Sequence, residues 1–374
     1  MTTEQVQRIE ITGHRIDDTV RLVINSKAWA GWTDVRITRG LERMPGDFEL
    51  HATQTSPAEN HISPFDACEV RIGKDTVITG YVDRVAPSMT SRQHTVAFAG
   101  RGKCQDLVDC SAEAPSGQFK NSTILEIAQT LCKPYGIQAF MSGDPGKVLP
   151  FFNVDLTDSG WNVIERLARY LQLVAYERAD GNLQLVQVQQ SSFPVAASGF
   201  AEKVNVEQAE ALFAGDRRFG EYQVVRNGIE ILRSAGFQNT ITTVQDGGVP
   251  RHRRRVMVAE NSGPGIDDIT GQARAEWECY RRIGRAALLR LTTDSWRAVD
   301  GKLYEPGQLA RFQLPTLYLD DVQWLISEVT YRYGADGMHC DITAQPLLAF
   351  TQQPTLQPFN QIPRAFYSQQ LPKS

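Results

Sequence analysis

The sequence predicts a β-rich multidomain chain, α+β overall, in which two similar small β-barrels flank an α+β module. Three observations predict it. Short apolar–polar alternations separated by turn residues fill residues 6–112 without helical periodicity. Between Gly117 and Gln190 the apolar period becomes helical. The segment Phe65–Arg101 is then echoed by Gly307–Pro346, with V-I-T-G-Y-V-D-R-V set against W-L-I-S-E-V-T-Y-R-Y and H-T-V-A-F-A-G-R against H-C-D-I-T-A-Q-P. That echo reads as a decayed internal duplication.

Val20–Ile24 is the first apolar run, and Trp29–Gly31 supplies a turn. Val35 and Ile37 then share one face of Trp32–Arg39, and Met44-Pro45-Gly46-Asp47 turns the chain into Phe48–Leu50. Pro57–Pro64 reads as a loop; Glu69–Ile72, Val77–Val85 and His94–Ala99 complete about six strands, with Gly100 ending the last.

The helix Thr123–Cys132 is punctuated at both ends. Thr123 and Glu126 stand in capping-box relation, Ile124, Ile127, Ala128 and Leu131 form one stripe, and Pro134 and Gly136 close it. An irregular run through Gly143 and Pro150 precedes a second helix, capped by Asp158 or Ser159, with Trp161, Ile164, Leu167, Ala168 and Leu171 inward. Leu173–Glu177 and Leu183–Val188 flank the turn residues Arg178–Asn182 as a hairpin.

Ser191–Gly199 is a linker, after which Phe219–Val225, Gly228–Arg233 and Phe237–Thr243 are strand-like. Gln245–Pro250 leads to the basic run Arg251-His252-Arg253-Arg254-Arg255. A long helix from about Ile269 to Arg285 places Ala273, Trp277 and Tyr280 on one face, with Arg274–Glu278 and Glu278–Arg282 as i,i+4 ion pairs. Leu288–Thr292, Leu309–Leu314, Trp324–Tyr331 and His339–Ala344 return to β, and residues 350–374 form a Pro/Gln-rich tail without periodicity.

Length and composition narrow the function classes. A chain of 374 residues exceeds one ordinary core and implies two or three domains. The formal net charge of −4 gives no global pull toward nucleic acid or an anionic membrane. The amino terminus lacks a secretory pattern, and no apolar run reaches the ~18 residues of a membrane span. Cys68, Cys104, Cys110, Cys132, Cys279 and Cys340 include no C-x-x-C pair, which reads as reduced thiols made in a cytosol.

No catalytic, cofactor-binding or metal-binding residue is predicted. His14, His51, His61, His94, His252 and His339 are isolated, and neither H-E-x-x-H nor G-x-S-x-G occurs. Gly100-Arg101-Gly102-Lys103 departs from a phosphate loop, because Cys104 follows the lysine. The pairs Asp106/Asp109 and Asp155/Asp158 have the residue type of a glycosidase, but Asp158 serves better as a cap. The run Arg251–Arg255 reads as a solvated loop tip or an intersubunit ion-pair donor in preference to a DNA contact.

The run G-R-G-K-C-Q-D-L-V-D-C, with the following G-Q-F-K-N-S-T-I-L-E-I-A-Q-T-L-C-K-P-Y-G-I, resembles the baseplate hub proteins of Mu-type contractile-tailed bacteriophages. That family is related to the T-even hub and the late-control-gene-D proteins. G-W-T-D-V-R-I-T-R-G-L-E-R, R-R-F-G-E-Y-Q-V and D-G-K-L-Y-E-P-G-Q-L extend the resemblance from about residue 20 to residue 350.

The resemblance implies a first barrel over residues 6–112, an α+β module from 113–199 plus 231–286, and a second barrel from 200–230 plus 287–349. It implies a homotrimeric structural protein, without cofactor or enzymatic activity, that adapts a six-fold tail tube to a three-fold central spike. Its implied partners are the tail tube protein, the spike protein and other baseplate proteins, around a channel for DNA in transit. The implied site is the virion tail, after assembly in the host bacterial cytoplasm. A type VI secretion hub shares the fold but usually continues into a β-strand needle, and a tail-associated peptidoglycan hydrolase is the enzymatic alternative.

Overall fold

Alternating burial along the early strands shows why they form: in Val20–Ile24 and Ala67–Ile72 every second side chain is withdrawn from solvent. The computed structural model describes residues 17–53, 62–114, 117–143, 148–171, 173–226, 241–259 and 271–350. Its first block contains β1 (Val20–Ile24), β2 (Lys27–Trp29), β3 (Asp34–Gly40), β4 (Asp47–Thr53), β5 (Ala67–Ile72), β6 (Asp75–Met89) and β7 (His94–Gly102). A mixed segment follows: α1 (Gln105–Asp109), β8 (Gln118–Ser122), α2 (Ile124–Cys132), β9 (Ala139–Ser142), β10 (Leu149–Asn153), α3 (Gly160–Leu171), β11 (Leu173–Glu177) and β12 (Leu183–Gln187). The remainder contains β13 (Phe200–Ala201), β14 (Gln208–Phe213), β15 (Glu221–Arg226), β16 (Ile241–Gln245), β17 (Arg254–Ala259), α4 (Gly271–Arg285), β18 (Ala287–Thr293), β19 (Leu309–Leu314), β20 (Leu319–Gly334) and β21 (Gly337–Gln345).

The fold is β-rich and multidomain, as expected, but the strand pairing does not draw two separate closed barrels. One open path runs β14-β18-β21-β20-β3-β4-β7-β6-β5-β1-β2, with β19 beside β20 and β13 beside β19. The reason is the length of β20. Its first half pairs with β19, and its second half, Glu328–Tyr333, pairs antiparallel with β3. Hydrogen bonding therefore continues from one half of the chain into the other. A common apolar core lines both halves, with Leu22, Ile37 and Phe48 from the first and Leu289, Trp324 and Tyr331 from the second. The first half curls strongly: Trp32, ahead of β3, donates its indole N–H to Val20 O on β1 at 3.1 Å.

In the mixed segment, Ile127 and Leu131 of α2 meet Val163, Ile164 and Leu167 of α3 in a second core. The capping box forms as the sequence predicts, with Glu126 N donating to Thr123 Oγ1 at 3.3 Å and Thr123 N to Glu126 Oε2 at 2.8 Å. Thr123→Ala is expected to cost about 1 kcal/mol, read as a lower urea midpoint with unchanged slope; no shift would remove the cap from the account of this helix. Ser159 caps α3, receiving Asn162 N at 3.2 Å. The run from Gly136 to Leu156, where no motif is visible, holds β9, parallel to β12, and β10, paired with β8. The small sheet β16-β15-β17 carries α4, with Tyr222, Cys279 and Ile283 between them.

Outside the described residues lie Gly228–Arg233, most of Phe237–Thr243, residues 57–61 of the predicted loop, His14, His61 and the 351–374 tail; the same holds for the side chains of Ala273 and Arg274.

Candidate functional site

The internal echo takes physical form in strand order. In the first half five strands run β3-β4-β7-β6-β5, and in the second five run β14-β18-β21-β20-β19. Chain order and spatial order correspond strand for strand. So do the irregularities: β6 bulges against β7 between Val82 and Arg84, and β20 bulges against β21 between Ile326 and Glu328. Aligning the bulges sets Gly100 on Ala344, Phe98 on Ile342, Leu50 on Leu291 and Ile37 on Ala211. At matching places Thr33 N donates to His51 O (2.8 Å) and Glu207 N to Thr292 O (2.9 Å).

The two units meet at β3–β20. Val329 lies opposite Arg39, Tyr331 opposite Ile37 and Tyr333 opposite Val35. Leu41 N donates to Ser327 O at 2.8 Å, and the Thr38 and Thr330 hydroxyls meet at 3.0 Å across the seam. Arg39 reaches Glu305 at 3.1 Å, and Arg43 reaches Glu328 at 3.4 Å. This is a sheet interior in all but chain connectivity.

The mixed segment is tied to the first unit by Glu177 on β11. Gly46 N donates to its Oε2 (3.0 Å) and Cys104 N to its Oε1 (2.8 Å). A β-carbon on Gly102 would stand 1.9 Å from that carboxylate, so a side chain there would push Glu177 off its two backbone donors. Burial pushes the Glu177 carboxyl up to about 7, against the opposing pull of the two backbone donors. Lys103 Nζ adds a bond to Gly136 O at 2.6 Å. Gly100-Arg101-Gly102-Lys103 is thus the end of β7 and a contact between segments; the strand continues through Gly100 to Gly102, where the sequence pattern had it stop.

The acidic pairs are engaged by arginine. Arg101 forks onto Asp109 (3.2 and 2.8 Å), and Arg166 reaches Asp155 (3.4 Å) and Asp158 (2.9 Å). Burial, then the Asp109 charge, raises the Asp106 carboxyl. The basic run is divided: Arg251 and His252 precede β17, and Arg254 opens it in parallel register with β15. Arg253 and Arg255 lie over the Phe219 ring at 5.0 and 5.5 Å, joined there by Arg282 at 5.4 Å. Two of the five positions are thereby committed to packing.

His51 pairs with Glu49 (3.2 Å) and His339 with Glu207 (2.7 Å). Burial lifts the thiols of Cys68, Cys132 and Cys279 to about 12, away from thiolate chemistry. Among the described residues, no three or more His, Cys, Asp or Glu side chains are gathered as a metal site. The sequence pattern missed β14, the first strand of the second unit, because Q-A-E-A-L-F carries little β propensity; its alternating Ala209, Ala211 and Phe213 were the available signal.

What the geometry offers is edges and faces for assembly: a chain built from two like sheets, joined by one edge of each. The comparisons set this chain beside phage baseplate and tail proteins. Residues 19–102 match the Mu phage baseplate assembly protein GpP-like N-terminal domain, 104–187 the baseplate hub protein gp44-like second domain, and 268–353 the GpP fourth domain. The baseplate hub protein gp44 of Escherichia phage Mu is 27% identical over 346 residues, covering 90% of this chain and 89% of that protein. The 43 kDa tail protein of prophage MuSo2 from Shewanella oneidensis superposes with a TM-score of 0.78 at 29% identity, over 90% of this chain and all of that one. A type VI secretion component, E. coli c3393, shares the fold at TM-score 0.57 and 12% identity, over 90% of this chain and 80% of its own. The chain is a homologue of the Mu-type baseplate hub protein.

Proposed function

We propose that three copies of this chain form the hub ring of a contractile-tail baseplate, adapting a six-fold tail tube to a three-fold central spike. The observation that carries this is the repeat: two five-stranded units of one design in each chain. Three such chains supply six like units around a channel, so one face approximates six-fold symmetry while the chain itself repeats three-fold. The first unit curls toward a small barrel, with Trp32 bonded to Val20 across it, and the second is read as its counterpart. The role is structural, with no catalytic step. Its partners are the tube protein, the spike protein and other baseplate components, in a virion assembled in the host cytoplasm, with DNA passing through the channel.

Light scattering on the purified chain tests this. Three chain masses are expected at micromolar concentration. A single chain mass across that range, with or without added spike protein, overturns the ring.

A further inference from the structure

The seam between β3 and β20 has an unfilled counterpart at each end of the chain. In the repeat, β14 corresponds to β3, and the outer half of β6, Arg84–Met89, corresponds to Glu328–Tyr333 of β20. β3 and β20 satisfy each other, whereas β14 has β18 as its one strand neighbour and Arg84–Met89 has β7 as its one strand neighbour, among the described residues. An edge of this kind is a template for another strand.

Backbone direction agrees. Ala214 N donates to Ala286 O at 2.7 Å, so alternate residues 212 and 210 turn to β18 while Ala209 and Ala211 turn outward. On β6, Thr90 N donates to Gln93 O at 2.8 Å, which turns Ser88 and Ala86 to β7 and leaves Val85, Pro87 and Met89 facing away. Pro87 lies where its missing N–H costs β7 nothing. Side chains agree as well: Leu212 is 52% exposed and Met89 78% exposed, large apolar groups on the two edges.

We propose that β14 of one chain pairs antiparallel with Arg84–Met89 of a neighbouring copy, in the register that β3 uses with β20. The pairing rests on the trimeric reading above and deepens it by naming the strands that join the copies. Transferring the register puts Ala86 opposite Leu212, Pro87 opposite Ala211 and Met89 opposite Ala209. Leu212 and Ala86 take the place of the Thr38–Thr330 pair, and Met89 packs beside Ala209. One backbone bond is forgone at Pro87. Because the contact is head-to-tail, chains alternate internal β3–β20 seams with external β14–β6 seams until the ring closes.

Disulfide trapping tests it. Ala86 and Leu212 form a non-hydrogen-bonded pair, whose Cα separation of about 4.5 Å suits a disulfide. In full-length protein carrying Cys110→Ser to remove the one exposed thiol, Ala86→Cys with Leu212→Cys is expected to give, on mild oxidation, a covalent band of three chains. Ser88→Cys with Leu212→Cys, two residues out of register, is expected to give at most a tenth of that yield. A trimer by mass without the Ala86–Leu212 cross-link overturns the strand pairing and leaves the ring; a monomer by mass overturns both. Equal cross-linking by the two pairs overturns the register. Ala211→Pro supplies a second readout: it removes an outward N–H, so it should keep the circular dichroism of a folded chain yet reduce the particle to one chain mass. A folded, still trimeric Ala211→Pro protein would also overturn the pairing.

Discussion

Arg218→Ala is expected to lower the unfolding free energy by about 3–5 kcal/mol, the range for removing one partner of a buried ion pair. The guanidinium forks onto Asp246, Nε to Oδ2 at 2.9 Å and Nη2 to Oδ1 at 2.8 Å, with side chains only 5% and 1% exposed. Asp246 also receives Gly248 N at 2.9 Å, while its own N–H donates to Gly220 O at 3.0 Å. The pair thus pins the ends of β15 and β16 together beneath α4. Alanine leaves the carboxylate buried and short of its principal donor. Arg218→Lys keeps the charge without the planar fork and should fall between. Arg218→Met with Asp246→Leu removes both charges and should recover most of the loss. Urea unfolding followed by circular dichroism gives the numbers. An Arg218→Ala loss below about 1 kcal/mol would mean that the pair is not the clamp of this sheet.

How much of this was legible in the sequence follows from how local each signal is. The α2 capping box needed four adjacent residues, and it formed as read. The echo between halves was legible because bulge and alternation survive in V-I-T-G-Y-V-D-R-V and W-L-I-S-E-V-T-Y-R-Y. Its consequence was not, since periodicity within a strand says nothing about which edge it meets. Thr38 and Thr330 touch across 292 positions of chain, and no local pattern encodes that meeting. The basic run was legible in part, with Arg251, His252 and Arg254 exposed. Four arginines and a histidine in a row suggested a solvated loop tip, and period-two alternation along β17 and its approach sends Arg253 and Arg255 onto Phe219. The acidic pairs were legible as residues, and the arginines that occupy them were eight or more positions away.

Between pH 5 and pH 8 the chain is expected to lose about 3 kcal/mol of stability through Glu177 alone, at ~1.36 kcal/mol per pK unit. Burial holds this carboxyl at about 7 in the folded chain, against 4.5 as the ordinary value. The folded state therefore binds more protons than the unfolded one within that window. Stability from this group is complete below about 4.5 and is lost as pH rises through 7, the reverse of an ordinary paired carboxylate. Glu177→Gln isolates the effect. Its amide oxygen can accept from one of the two donors, Gly46 N or Cys104 N, while its NH2 group faces the other. At pH 5 the variant should be the less stable protein by about 1–3 kcal/mol. By pH 8 the parent has lost its advantage and the variant has not changed through this group, so the gap should close. Urea midpoints of the two proteins across the range, compared as differences, cancel every other titration. A gap that stays constant from pH 5 to pH 8 would mean that Glu177 is already charged in the folded chain, and that the tie between β11 and the first sheet is an ordinary ionic one.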